Sequence, residues 1–330
     1  MGAALGIWPD DHPWTGDPEQ HLDALTPTLA TFGAEHQIPS EALRDLAVGS
    51  LGLAAWLVAS RLSGEPSPFL LGVQGAQGSG KSTLSALLAH TLRELHGLST
   101  AVLSLDDFYL TRAERRQLAE TVHPLFITRG VPGTHDVPEI HRVIDQLGRA
   151  KPSSQLRLPR FDKALDDRAP IESGALFVGR PDVIVIEGWC LGTPAEPLER
   201  LKDPLNPLES LEDPDARWRG TVNHRLATDY ARLVARLDAL IFLKIPDFSA
   251  VFDWRSLQES KLNQAGLDAA GMTRFIQHFE RLTRWSLIAT PKQANWVLSL
   301  DDSHTIFKAW ANPEPAWPQF LSRLPVSSNQ

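Results

Sequence analysis

Five short runs of the chain, residues 69–73, 101–105, 182–186, 239–245 and 296–300, are apolar at nearly every position. Runs of that length without polar alternation suit strands covered on both faces of a parallel sheet. After the first run the period changes. Leu84, Leu87, Leu88 and Leu92 recur at helical spacing. A second helical pattern over 222–237 leads into the fourth run. Ahead of the first run, Asp17-Pro18-Glu19 and Pro39-Ser40-Glu41 look like helix starts, the former followed by Leu22, Leu25 and Leu29. Residues 64–68, Gly-Glu-Pro-Ser-Pro, form a turn-rich joint. The pattern predicts an α/β fold: a doubly wound, mostly parallel five-stranded sheet with helices on both faces. It divides the chain into an N-terminal helical extension, residues 1–66, and a domain over 67–330. Residues 192–215, rich in Pro, Glu and Asp, read as a loop.

The first strand runs into Gly75-Ala76-Gln77-Gly78-Ser79-Gly80-Lys81-Ser82-Thr83, which fits G-x-x-x-x-G-K-[ST] at every specified position. Strand, glycine turn and helix are the context that a phosphate-binding loop requires. Glycines let the backbone turn tightly, so that successive amides point inward at phosphate oxygens beside a helix N-terminus. Lys81 is placed to reach the β- and γ-phosphates, and the Ser82 hydroxyl to ligate Mg²⁺.

Ligands of open parallel sheets sit beyond the carboxyl ends of the strands. The second strand delivers Asp106-Asp107-Phe108-Tyr109 to that rim, and the third delivers Glu187-Gly188-Trp189. Side chains alternate along a strand, so one of the two aspartates faces the cleft. It is a candidate proton acceptor or metal-shell ligand; an Asp pair also caps helices. Glu187 stands where phosphate-loop enzymes place an acid near the metal. Two further stretches, residues 129–136 (RGVPGTHD) and 156–168, are rich in basic and polar groups. A turn and a solvated face are the ordinary explanations. An anion site is the sharper one, because arginine offers a fork that matches carboxylate or phosphate. Asp253-Trp254-Arg255 opens a charged helical stretch, with Arg274, Arg281 and Arg284 beyond it.

Composition narrows the partners. The 330 residues are 42% hydrophobic, enough for a real core, with a formal charge of −8. With no basic run, a nucleic acid is not the expected partner. The single cysteine, Cys190, can build no disulfide framework or cysteine metal site. The start Met1-Gly2-Ala3 lacks a signal-peptide pattern, and residues 46–60 are too short to span a bilayer. A cytoplasmic monomer or homodimer acting on a small molecule is expected.

Together the phosphate loop, Asp106–Leu110, Arg129–Asp136, Pro159–Lys163 and Ile186–Trp189 resemble the plant-type D-glycerate 3-kinase family, relatives of uridine kinase, pantothenate kinase and phosphoribulokinase. The resemblance covers roughly residues 67 to 310, by motif order. It departs from the family pattern between Asp162 and Arg168. It implies ATP- and Mg²⁺-dependent phosphorylation of D-glycerate to 3-phospho-D-glycerate. Within it Asp106 is the base or a metal-shell ligand, with Lys81 and Glu187 completing the catalytic set and Ser82, Asp106 and Glu187 around the metal. The acceptor contacts fall to Tyr109, Arg129, His135, Arg160 and Lys163, and the lid arginine is one of Arg255, Arg274, Arg281 and Arg284, with Arg255 the first candidate. Two other readings stand beside it: another kinase of the same group, which needs no carboxylate clamp, and a slow nucleotide-dependent switch or assembly factor.

Overall fold

The computed structural model describes residues 18–38, 40–62, 68–252, 254 and 269–312. Its centre is a six-stranded sheet built from β1 (Phe69–Gly75), β2 (Thr100–Ser104), β3 (Val183–Gly188), β4 (Ala239–Lys244), β5 (Trp296–Leu300) and β6 (Ile306–Ala311). The spatial order is β2-β3-β1-β4-β5-β6, with β6 antiparallel to β5 and every other pair parallel. Five strands are those that the apolar runs predict. The sixth is an addition. Ala309 is its one buried position, as suits an edge strand, so it carries no continuous apolar run.

Alternate residues of the inner strands enter two different cores, as a period of two demands. Leu70, Ile184, Ile186, Leu240, Phe242 and Val297 pack on one face. Leu71, Val73, Val183, Val185, Ile241, Leu243 and Leu298 pack on the other. Both faces are therefore covered, which is why β1, β3, β4 and β5 read as unbroken apolar runs.

Ahead of the sheet lie α1 (Pro18–His36) and α2 (Ser40–Leu62). They form a hairpin whose Leu22, Leu25, Leu29, Phe32 and Leu51 close on Leu87 of α3 (Lys81–His96), the helix after the phosphate loop. Further along come α4 (Arg112–Thr121), α5 (Val137–Gly148), α6 (Pro207–Glu212), α7 (Arg217–Arg225) and α8 (Ala269–Ala289). A π turn, Leu226–Tyr230, continues α7, so the helix expected over 222–237 begins five residues earlier. No helix among the described residues is long and apolar enough to cross a membrane.

The expected loop over 192–215 is held instead by two buried arginines, Arg219, which bonds the Leu201 carbonyl and the Asp213 carboxylate, and Arg281. Arg281 of α8 donates two bonds of 2.7 Å to Glu209 of α6 and one of 3.0 Å to Glu196, and also reaches the carbonyls of Arg200 and Asp203. Burial works against its charge, but the two glutamates outweigh that and raise its pKa. Arg281 is thus a clamp between elements, not a lid group over a phosphate.

Candidate active site

The parallel register builds the site. Ser104 pairs with Glu187, and Gln74 with Gly188, so the carboxyl ends of β1, β2 and β3 share one rim. The phosphate loop leaves that rim and enters α3. Gly78 and Gly80 lie in the left-handed region, at φ +79° and +83°, where a side chain is strained. At Gly78 a Cβ would also stand 2.8 Å from the Cβ of Trp254. Gly75, by contrast, is needed for close approach: its Cβ would lie 2.4 Å from the Ser79 hydroxyl.

Beside the loop, Glu187 is 4% exposed. One carboxylate oxygen accepts hydrogen bonds from Ser82 at 2.8 Å and from Ser104 at 2.7 Å. The other oxygen is 3.9 Å from the Lys81 ammonium and, although buried, accepts no hydrogen bond. The motif pattern predicts the Ser82–Glu187 meeting; Ser104 carries no motif and was not among the candidates.

Asp106 and Asp107 sit in a 3₁₀ turn, Leu105–Phe108, one residue past the end of β2. The turn separates their tasks. Asp107 accepts from the backbone amide of Phe161 at 3.1 Å. Burial raises its pKa, aided by the charges of Asp106 and Glu187. Asp106 accepts from the Tyr109 hydroxyl at 2.8 Å and pairs with the Lys163 ammonium at 2.9 Å. Burial pushes the Asp106 carboxyl upward, but Lys163 and Lys81 and the two hydrogen bonds outweigh it and hold it well below the usual carboxylate range. Tyr109, buried and beside that carboxylate, has its pKa raised well above the ordinary phenol value. It therefore stays a donor.

Asp106, Lys81, Ser82, Glu187 and Lys163 line one cavity of about 450 Å³ together with Gln77, Gly78, Thr83 and Ser104. Trp254 and His304 close one side. Their rings stack at 3.9 Å, Trp254 donates to the Asp302 carbonyl, and His304 Nε2 lies 2.9 Å from the Gly78 carbonyl oxygen. Neither was a candidate from the sequence, because an aromatic residue or a histidine without a motif reads as packing.

The remaining candidates separate. Lys163 is the one basic acceptor candidate in the cavity lining. Arg160 is exposed and outside that lining. Arg129 is bonded to Asp166 and lies over the Phe161 ring at 5.5 Å. His135 is 5% exposed, stacks on Tyr109 at 4.5 Å and shares a hydrogen bond with the Tyr230 hydroxyl. Its pKa is lowered by burial to about 4, so the ring is neutral. Arg255 falls outside the described residues. Behind the rim, Cys190 is fully buried, and burial raises its thiol pKa far above the ordinary value. Arg115, unnoticed in the sequence, is buried and bonds the carbonyls of Leu110, Ile127 and Asp166, tying together the loops that present Tyr109, Arg129 and Lys163.

No protein-family profile matches the chain. Among individual proteins, the kinase mug58 of Schizosaccharomyces pombe, itself uncharacterized, is 32% identical over 231 residues, covering 65% of this chain and 79% of that one. The chain belongs to this family of P-loop kinases. The kinase is also 30% identical over 213 residues to the chloroplastic D-glycerate 3-kinase of Arabidopsis thaliana, a match that spans 62% of it but 44% of the plant protein. A D-glycerate 3-kinase from Cryptococcus neoformans has the same fold, with a TM-score of 0.65 at 23% identity over 83% of this chain and all of that one. By its relationship to mug58 the chain is a kinase, a phosphoryl-transfer enzyme built on the P-loop fold.

Proposed function

We propose that the kinase transfers the γ-phosphoryl group of ATP to the 3-hydroxyl of D-glycerate. The observation that carries the reading is the placement of Asp106, paired with Lys163, in the same cavity as Lys81. A carboxylate for the hydroxyl and a cation for an acid substrate thus stand together. Similarity to the plant and fungal D-glycerate 3-kinases supports the choice of acceptor.

The division of labour follows from the geometry. Backbone amides of residues 75–83 cradle the phosphates, and Lys81 offsets charge on the transferred group. The Ser82 hydroxyl and the unbonded Glu187 oxygen form an oxygen donor set that fits a hard divalent cation, with Asp106 nearby. Magnesium, when bound there, neutralises phosphate charge. Asp106 accepts the proton of the attacking hydroxyl. Its low basicity makes that transfer late, which suits a loose transition state with little bond formation to the nucleophile. Tyr109 holds the Asp106 carboxylate in orientation. Lys163, released from Asp106 or shared with it, meets the acceptor's carboxylate. Arg129, Arg160 and His135 act around this contact: Arg160 from the rim, Arg129 through Asp166 and Phe161, His135 behind Tyr109. Residues 1–66 are read as an extension of a kinase domain over 67–330.

Labelled ATP offered with a panel of acceptors tests the proposal. The expected result is 3-phosphoglycerate from D-glycerate, with little phosphate released when no acceptor is present. Faster turnover of pantothenate, a nucleoside or a sugar would replace the acceptor. Release indifferent to every acceptor would remove the assignment.

A further inference from the structure

The N-terminal hairpin does more than pack on α3. Its turn reaches the nucleotide cleft. His36 and Gln37, at the end of α1, line the 450 Å³ cavity opposite Gln77, Gly78 and Lys81. The next residue, Ile38, lines a second and more apolar cavity of about 220 Å³. Leu46 of α2, Leu84, Leu300 and Ile306 supply most of its remaining apolar wall. The two cavities share Gly80, Thr83 and His304. They are therefore two arms of one cleft, polar on the lysine side and apolar on the other.

The turn has a fixed shape. Gln37, at φ +55°, is the left-handed residue of a helix C-cap. The backbone bonds Gln37 N to Ala34 O and Ile38 N to Gly33 O lock it. His36 stacks on Phe32 at 4.2 Å, which sets the direction of the chain as it leaves α1. The Gln37 side chain is exposed.

We propose that the α1–α2 turn is a working part of the nucleotide site: Gln37 donates to the polyphosphate of the bound nucleotide, and Ile38 with Leu46 forms the wall against which its base packs. A nucleoside triphosphate has the matching chemistry, an anionic end joined to a flat, mostly apolar end. An amide donor adds to the backbone cradle without a further charge, and an aliphatic wall accepts a ring face. The helical extension is then required for ATP affinity, not only for stability. The inference rests on nucleotide occupancy of the phosphate loop and is independent of which acceptor is used.

Equilibrium binding of ATP and of inorganic tripolyphosphate to the full chain tests it, each with magnesium. Ile38→Trp, which fills the apolar arm, is expected to weaken ATP at least 10-fold and tripolyphosphate less than two-fold. Gln37→Ala is expected to weaken both about three- to ten-fold. Glu35→Gln, exposed on the same helix and outside both arms, is the control and should leave both unchanged. Thermal unfolding of each variant reports folding. Equal loss of both ligands in Ile38→Trp, or unchanged ATP affinity in Gln37→Ala, overturns the proposal. Should Ile38→Trp not fold, the exposed Gln37 variant decides alone. A wrong acceptor would leave these binding results unaltered, so the two failures are distinguishable.

Discussion

Asp106 shows how neighbours set the character of one carboxyl group. Lys163, Lys81 and Tyr109 keep it ionised despite burial. Asp106→Asn should lower kcat about 10²- to 10⁴-fold with ATP affinity nearly intact, as measured by steady-state kinetics and direct binding. Lys163→Met should raise the glycerate KM and, by removing a cation, raise the Asp106 pKa. The acid limb of the pH–rate profile then moves to higher pH. Arg160→Ala, on the rim, should raise the same KM less. His135 is the reverse case, a base that burial keeps neutral. Its ring binds a proton near pH 4 in the folded chain against 6.5 as a free side chain. Between those values the unfolded chain holds more protons, so stability falls as pH drops from 6.5 to 4. The wild type should lose about 3 kcal/mol more than His135→Asn across that interval, read from urea unfolding at each pH.

At the scale of elements, the strands were legible and much of the polar scaffolding was not. Inner strands announce themselves because both faces are buried. The glycine loop does so because few residue types tolerate its backbone. The edge strand β6 and the clamp over 192–215 leave no such mark. Arg281 lies 72 residues from Glu209 and 85 from Glu196, and only the fold brings them together. A Pro- and Asp-rich stretch reads as loop until its buried partner is known. The two aspartates illustrate a partial success: one does face the cleft, but a 3₁₀ turn rather than strand alternation divides them. The clamp is also testable. Arg281→Met leaves Glu209 buried without its cation and Glu196 with Arg200 alone, and should destabilise the fold by about 3–5 kcal/mol. The urea midpoint would record the loss, with ATP KM little changed at temperatures where the variant stays folded.

Over the whole molecule, the proposed function requires a chain of charge −8 to bind two anions, ATP and glycerate, at one rim. The cations for that task are local: Lys81 and Lys163 both line the cavity. Ligand binding to the folded state alone adds about 2.7 kcal/mol of stability at one hundred times the dissociation constant. ATP with magnesium should therefore raise the unfolding temperature clearly. Chelation of the metal should remove most of the rise, and Glu187→Gln should blunt its metal dependence.

Cys190 is the only thiol in the sequence, and it is sealed inside the core and protonated. Maleimide reagents should leave the native kinase unmodified. One cysteine engineered at any chosen surface point would then carry a fluorophore at a single known address, so that optical reporters of ATP arrival can be installed without first stripping the parent chain of competing sulfur.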